Sequence, residues 1–117
     1  MAKTSPTQRS LAYLRKGGYI VAIAEKYNYF IHTRTDLFNW IDLCAIHPGK
    51  GEIVGVQTTS TSNLSARIKK AMALDAFKVW LQCGGKAVFH GWAKRGARGK
   101  RKLWTLKEKI ITLEDFH

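Results

Sequence analysis

The middle of this chain is a strand–turn–strand unit, and it limits the possible folds more than any other segment. It reads Ile41-Asp-Leu-Cys-Ala-Ile46, then His47-Pro-Gly-Lys-Gly51, then Glu52-Ile-Val-Gly-Val-Gln-Thr-Thr-Ser60. An acid, Asp42, is embedded in the first apolar run, and the second run ends in Gln57-Thr58-Thr59. Successive side chains of a strand alternate faces, so Gln57 and Thr59 project the same way. With Pro48 to Gly51 as the loop, antiparallel pairing sets Asp42 directly opposite Gln57, their Cα atoms about 4.5–5.5 Å apart. A five-residue loop slips the register by one and sends the pair to opposite faces. Two oxygen-bearing side chains converging among apolar residues suit a hard cation. A half-exposed strand with its polar residues turned to water fits the same spacing.

The flanking segments supply helices and further strands. Ser5-Pro6-Thr7-Gln8 is a helix start, with a hydroxyl at N-cap, Pro at N1 and Gln at N3. Leu11 and Leu14 give a short apolar stripe, and Arg15-Lys16-Gly17-Gly18 ends the helix. Tyr19 to Ala24 reads as a first strand with Glu25 at its end, and Lys26 to Asp36 as an irregular loop. Ser62-Asn63 caps a second helix running to about Cys83, closed by Gly84-Gly85. Leu64, Ile68, Ala71, Met72, Phe77, Val79 and Trp80 mark its buried side. Lys86 to Trp92 is a fourth strand, residues 93–102 an exposed Gly-rich cationic loop, and Leu103 to Leu106 with Ile110 to Leu113 a final β pattern. The expected fold is a single α+β domain over residues 1–117, with a mixed central sheet flanked by helices in the order α-β-β-β-α-β-β.

Charge narrows the partner. Twenty Lys and Arg against eight acids give the 117-residue chain a formal charge of +12, which favours a polyanion. Lys94, Arg95, Arg98, Lys100, Arg101 and Lys102 cluster in one glycine-broken loop that can follow a phosphate backbone without reading bases. Tyr27, Tyr29, Phe30, Phe38 and Trp40 can stack on unpaired bases or fill a core or dimer interface; we favour the second. His90, at the end of the fourth strand, either faces the site or is an ordinary strand residue. Cys44 and Cys83 match no metal spacing and read as two buried thiols; His32, His47, His90 and His117 show none either. No Gly-rich phosphate loop, Ser-His-Asp order or dinucleotide fingerprint is present. No apolar run spans a bilayer, and Met1-Ala-Lys-Thr-Ser-Pro6 does not resemble a signal peptide, so a cytoplasmic location is expected.

Asp42, the short hairpin and Val56-Gln57-Thr58-Thr59-Ser60 together resemble the PD-(D/E)xK nuclease core. The element order is similar to that of archaeal-type Holliday junction resolvases, with phage-encoded members the closest likeness, over roughly Ser5 to Trp92. The resemblance implies that Asp42 is the metal-binding aspartate, that Gln57 stands where the motif carries its acid, and that Thr59 stands where it carries lysine. Glu25 is a candidate extra acid. Asp36 ranks below it, because six residues of extended strand span about 20 Å unless the chain bends at Asn39. Glutamine ligates a cation without adding charge, and threonine cannot replace a lysine beside the phosphate. Arg67 and Lys70 lie three apart on one face of the second helix, and Lys70 is the expected substitute.

These expectations converge on Mg²⁺, with Mn²⁺ able to replace it, held by Asp42, the Gln57 carbonyl and the Thr58 backbone carbonyl. The implied function is a metal-dependent, structure-selective DNA endonuclease that resolves four-way junctions in recombination and repair. A homodimer would supply the paired incisions, in the host cytoplasm if the chain is phage-encoded. Arg67, Lys94, Arg95, Arg98, Lys100 and Arg101 would contact DNA. Two other readings remain open: a non-catalytic DNA-binding relative, and a flap or nicking nuclease.

Overall fold

The structure is a computed structural model describing residues 5–116, so the first four residues and His117 lie outside it. Helix α1 (Pro6–Lys16) begins as the sequence dictates: the Ser5 hydroxyl accepts from the Gln8 amide at 3.2 Å and Pro6 fills the first helical position. Strand β1 (Ile20–Ile23) follows, then a small hairpin of β2 (Lys26–Asn28) and β3 (Thr33–Thr35) where an irregular loop was expected. Strands β4 (Leu43–His47) and β5 (Glu52–Ser60) form the central hairpin. A 3-10 turn over Thr61–Asn63 leads into α2 (Leu64–Met72) and α3 (Asp75–Gln82), then β6 (Lys86–Arg95), β7 (Leu103–Ile111) and a last 3-10 turn, Leu113–Asp115.

The main sheet has the order β1-β4-β5-β6-β7, antiparallel except where β5 and β6 run parallel. That parallel pair requires a crossover, which α2 and α3 supply across one face. On the other face α1 lays Leu11 and Leu14 against Val21, Leu43, Ala45, Val54, Val56 and Val88. Under α2 and α3 the core is aromatic: Trp40, Phe77 and Phe89 pack with Leu64, Ala71 and Ala87. Trp40 stacks on Phe89 with centroids 5.8 Å apart and tilts on Phe77 at 4.7 Å. Gly55 is required beneath it, since a Cβ there would meet the indole at 2.7 Å. The mixed α+β, helix–sheet–helix architecture is as expected.

Two elements differ from expectation for identifiable reasons. The long second helix is two helices, broken at Ala73 and Leu74. Leu64, Ile68 and Ala71 set a core stripe that would carry Asp75 and Lys78 inward next. The core residues that follow are instead Leu74, Phe77 and Leu81, and the break resets the phase so that they face the sheet. The final β pattern is one uninterrupted strand, β7, paired with β6 from Ala87↔Ile111 to Arg95↔Leu103. That pairing shortens the cationic loop to residues 96–102. Cys83 is exposed and Cys44 half-buried, so the expectation of two buried thiols fails for Cys83. Among the described residues no helix is long and apolar enough to cross a membrane.

Candidate metal centre and nucleic-acid face

Three acids from two connections, β1 to β2 and β3 to β4, meet at one end of the sheet. Lys26 pairs with Thr35 at the base of the β2–β3 hairpin, so Glu25 before it and Asp36 after it emerge side by side. Asp36 is carried back to Asp42 by a tight reversal: Leu37 bridges Ile41, the Ile41 amide donates to the Leu37 carbonyl at 2.9 Å, and Phe38 and Asn39 hold left-handed φ of 53° and 66°. The bend at Asn39 on which Asp36 depended is therefore present, and Asp36 ranks with Glu25. Carboxylate oxygens of Glu25, Asp36 and Asp42 all lie within 4.8 Å of one another.

The central hairpin has the expected four-residue loop, with His47 opposite Glu52 and Leu43 opposite Val56. The alternation nevertheless fails one residue further on. The Asp42 amide donates to the Val56 carbonyl at 2.9 Å, so Asp42 and Leu43 both address Val56 in a bulge-like kink. A bulge shifts the side-chain phase, and the Asp42 carboxylate turns to Thr58, whose amide donates to Oδ2 at 2.8 Å. Gln57 and Thr59 do not line the pocket that holds the acids. Gln57 is buried with its Oε1 lacking a hydrogen-bond partner. The Asp42–Gln57 convergence expected from register is thus replaced by Asp42–Asp36–Glu25.

That pocket, of about 550 Å³, is lined by the three acids together with Thr58, Arg34, Arg67 and Lys70. The two helix cations therefore arrive where the resemblance needed a basic group, although Thr59 cannot supply one. Arg34, with 69% of its side chain exposed, binds Glu25 at 3.1 Å. Asp42 is only 6% exposed. Burial is the main force raising its pKa, to about 8; the hydrogen bond and charge of Asp36 and the charge of Glu25 add to this, while the Thr58 amide opposes it.

The donor set fits a hard cation. All three acids offer oxygen, and ligands on opposite sides of the ion are about 4.0–4.2 Å apart for Mg²⁺ and about 4.6–5.2 Å for Ca²⁺. A second sign is Thr58, which lines the same pocket and whose hydroxyl is buried without a partner. Glu25, Asp36 and Asp42 can therefore hold a metal ion.

His90 does not face this pocket. It is fully buried, with Nδ1 2.8 Å from Ser10 Oγ and Nε2 2.9 Å from Glu108 Oε2, while Trp92 Nε1 donates to the same Ser10 oxygen at 2.8 Å. With Glu108 ionised, Nε2 carries the proton and Nδ1 accepts from Ser10, so every polar atom of the chain is satisfied. Ser10 is itself fully buried with its hydroxyl engaged, so this Ser–His–Glu chain clamps α1 to β6 and β7 and offers no nucleophile. The Ser10–His90 bond joins residues 80 apart in sequence, which is why no local motif announced it.

The cationic loop lies at the same end of the sheet as the acids. Parallel pairing puts Ser60 beside Trp92, and β6 continues three residues further to Arg95, about 10 Å. Lys94, Arg95, Arg98, Lys100 and Arg101 are all exposed there. Trp104 faces the same region, with the Arg9 guanidinium 3.5 Å from its centroid and the Lys94 ammonium at 5.4 Å. Comparison with family models, with curated proteins and with solved structures returns no match.

Proposed function

We propose that this protein is a divalent-metal-dependent endodeoxyribonuclease of the PD-(D/E)xK type, acting on branched DNA. The observation that carries the reading is the Glu25–Asp36–Asp42 cluster sharing one pocket with Arg67 and Lys70. An antiparallel β1-β4-β5 meander, a helical crossover and a parallel β6 support it, because that is the topology the resemblance implies.

Each residue has a definable task. Glu25, Asp36 and Asp42 would hold Mg²⁺ or Mn²⁺, with the Thr58 hydroxyl beside them. When bound, the ion polarises a phosphoryl oxygen and lowers the pKa of an attacking water. Lys70 and Arg67 neutralise the phosphate and fix it in line for attack. Arg34 leaves Glu25 to bind a neighbouring phosphate. The exposed cations of residues 94–101 follow the backbone leading away from the cut. Two such sites in a homodimer would make paired incisions in a four-way junction.

The test is cleavage of labelled four-way junction, flap and linear duplex with Mg²⁺, Mn²⁺ or chelator. Metal-dependent paired nicks in the junction, lost in Asp42→Ala while binding persists, are the expected result. Tight binding with no incision under any metal would overturn the enzyme and leave a DNA-binding protein.

A further inference from the structure

The least conventional surface of this molecule is the tip of the β2–β3 hairpin. Phe30 is 96% exposed, Tyr29 79% and Ile31 63%, three consecutive apolar residues held in water. Such a patch marks a contact site. The tip is also built rather than slack. The Phe30 amide donates to Asn28 Oδ1 at 2.9 Å, the Tyr27 and Tyr29 rings meet edge-on at 4.8 Å, and His32 takes a left-handed φ of 49°. Of the aromatics singled out from sequence, Trp40 is fully buried in the core, whereas Tyr27, Tyr29, Phe30 and Phe38 are exposed.

Along the hairpin lies a recess of about 340 Å³, lined by Lys26, Tyr27, Asn28, Tyr29, Phe30 and Thr35. Its lining combines three aromatic side chains, which suit a flat π-system, with Lys26, which suits an anion attached to that π-system. A nucleotide combines both. An apolar segment from a second copy would use the walls and leave Lys26 facing nothing of opposite charge. Position adds a third argument. The hairpin is three residue pairs long, from Lys26↔Thr35 to Asn28↔Thr33. Its tip therefore stands about 10 Å beyond Glu25 and Asp36, while its base, Lys26 and Thr35, adjoins them, so the recess runs outward from the carboxylates.

We infer that this recess holds an unstacked base of branched DNA, which places the branch point beside the phosphate at the carboxylates. The inference rests on the nuclease reading and deepens it, because it names the feature of the substrate that is recognised. Linear duplex keeps its bases stacked and offers nothing to the recess, whereas a branch point exposes bases for aromatic stacking.

The decisive variant is Tyr29→Ser with Phe30→Ser, two positions outside the carboxylate pocket and outside both cores. Binding is measured in chelator against a four-way junction carrying a fluorescent adenine analogue at the branch, and against linear duplex. With an unchanged melting temperature, the variant is expected to bind duplex as the parent does. It should bind junction about tenfold more weakly and lose the fluorescence response. Equal weakening on both DNAs, or an unchanged junction affinity, would overturn the proposal. So would sedimentation showing a parent dimer that the variant cannot form. A parent that gives the junction-specific response but cleaves no DNA with Mg²⁺ or Mn²⁺ would sink the nuclease reading while supporting the recess.

Discussion

Asp42 is where burial, charge and chemistry conflict most. Its folded pKa, raised to about 8, exceeds the value of about 3.9 for an unfolded aspartate. Between these limits the folded chain binds more protons, so in the absence of divalent ions this residue makes stability fall as pH rises from about 4 to 8. A Mn²⁺ or Mg²⁺ ion would offset the charge and reverse that fall. Thermal melts of the parent and of Asp42→Asn in chelator should therefore converge at pH 4 and diverge toward pH 8 in favour of the variant. Added Mn²⁺ should stabilise the parent alone. A parent insensitive to metal at pH 8 would refute the cation site. Asp42 was legible from sequence as an acid in an apolar strand. Glu25 was legible as a further acid, and Asp36 only if the chain bent at Asn39. Hidden was the kink at Asp42 that, with left-handed Phe38 and Asn39, brings Asp36 in where Gln57 was expected, since phenylalanine is not a residue type that signals such a bend.

Among the elements, the segments with one dominant local signal read correctly, and those set by distant contacts did not. Ser5-Pro6 announced α1 because a cap acts within one turn. The α2–α3 break was hidden because the whole stretch from Leu64 to Gln82 has good helical residues, and only the sheet beneath it selects Leu74 and Phe77 over Asp75 and Lys78. The clamp between α1 and β6 is equally non-local. Ser10→Ala would strip partners from both His90 and Trp92 inside the core, and unpaired buried groups cost about 1–3 kcal/mol each. Urea unfolding should show a loss of at least about 2 kcal/mol. Burial lowers the His90 pKa, outweighing Glu108, so the unfolded chain binds the extra proton. The clamp's contribution is whole above about pH 6.5, the unfolded histidine value, and declines as pH falls through it. That acid-side loss is opposite in sign to the Asp42 effect and should vanish in a His90→Gln variant, whose baseline stability is lower at every pH.

Across the molecule, the +12 charge favours a polyanionic partner but does not say how the cations divide. The structure separates them into two groups. Arg67 and Lys70 stand in the pocket with the acids, whereas Arg98, Lys100 and Arg101 occupy the exposed loop beyond β6. On the proposed function the first group would touch the phosphate to be cut and the second only its neighbours, so their removal should register in different quantities. Replacing Arg98, Lys100 and Arg101 with serine removes up to three phosphate contacts. Each contact contributes about 0.9 to the slope of log affinity against log salt, so the slope should fall by up to about 2.7. Turnover at saturating DNA should stay near the parent value. Lys70→Ala should do the reverse: the salt slope changes by no more than about 1, while the single-turnover cleavage rate drops about 100-fold or more, as expected when a preorganised charge is withdrawn from a phosphoryl transition state. Filter binding from 50 to 200 mM salt alongside single-turnover cleavage in Mn²⁺ measures both. A loop variant that binds normally but cuts slowly would place the scissile phosphate at residues 98–101 and away from the carboxylates, and the arrangement argued for the whole molecule would have to be redrawn.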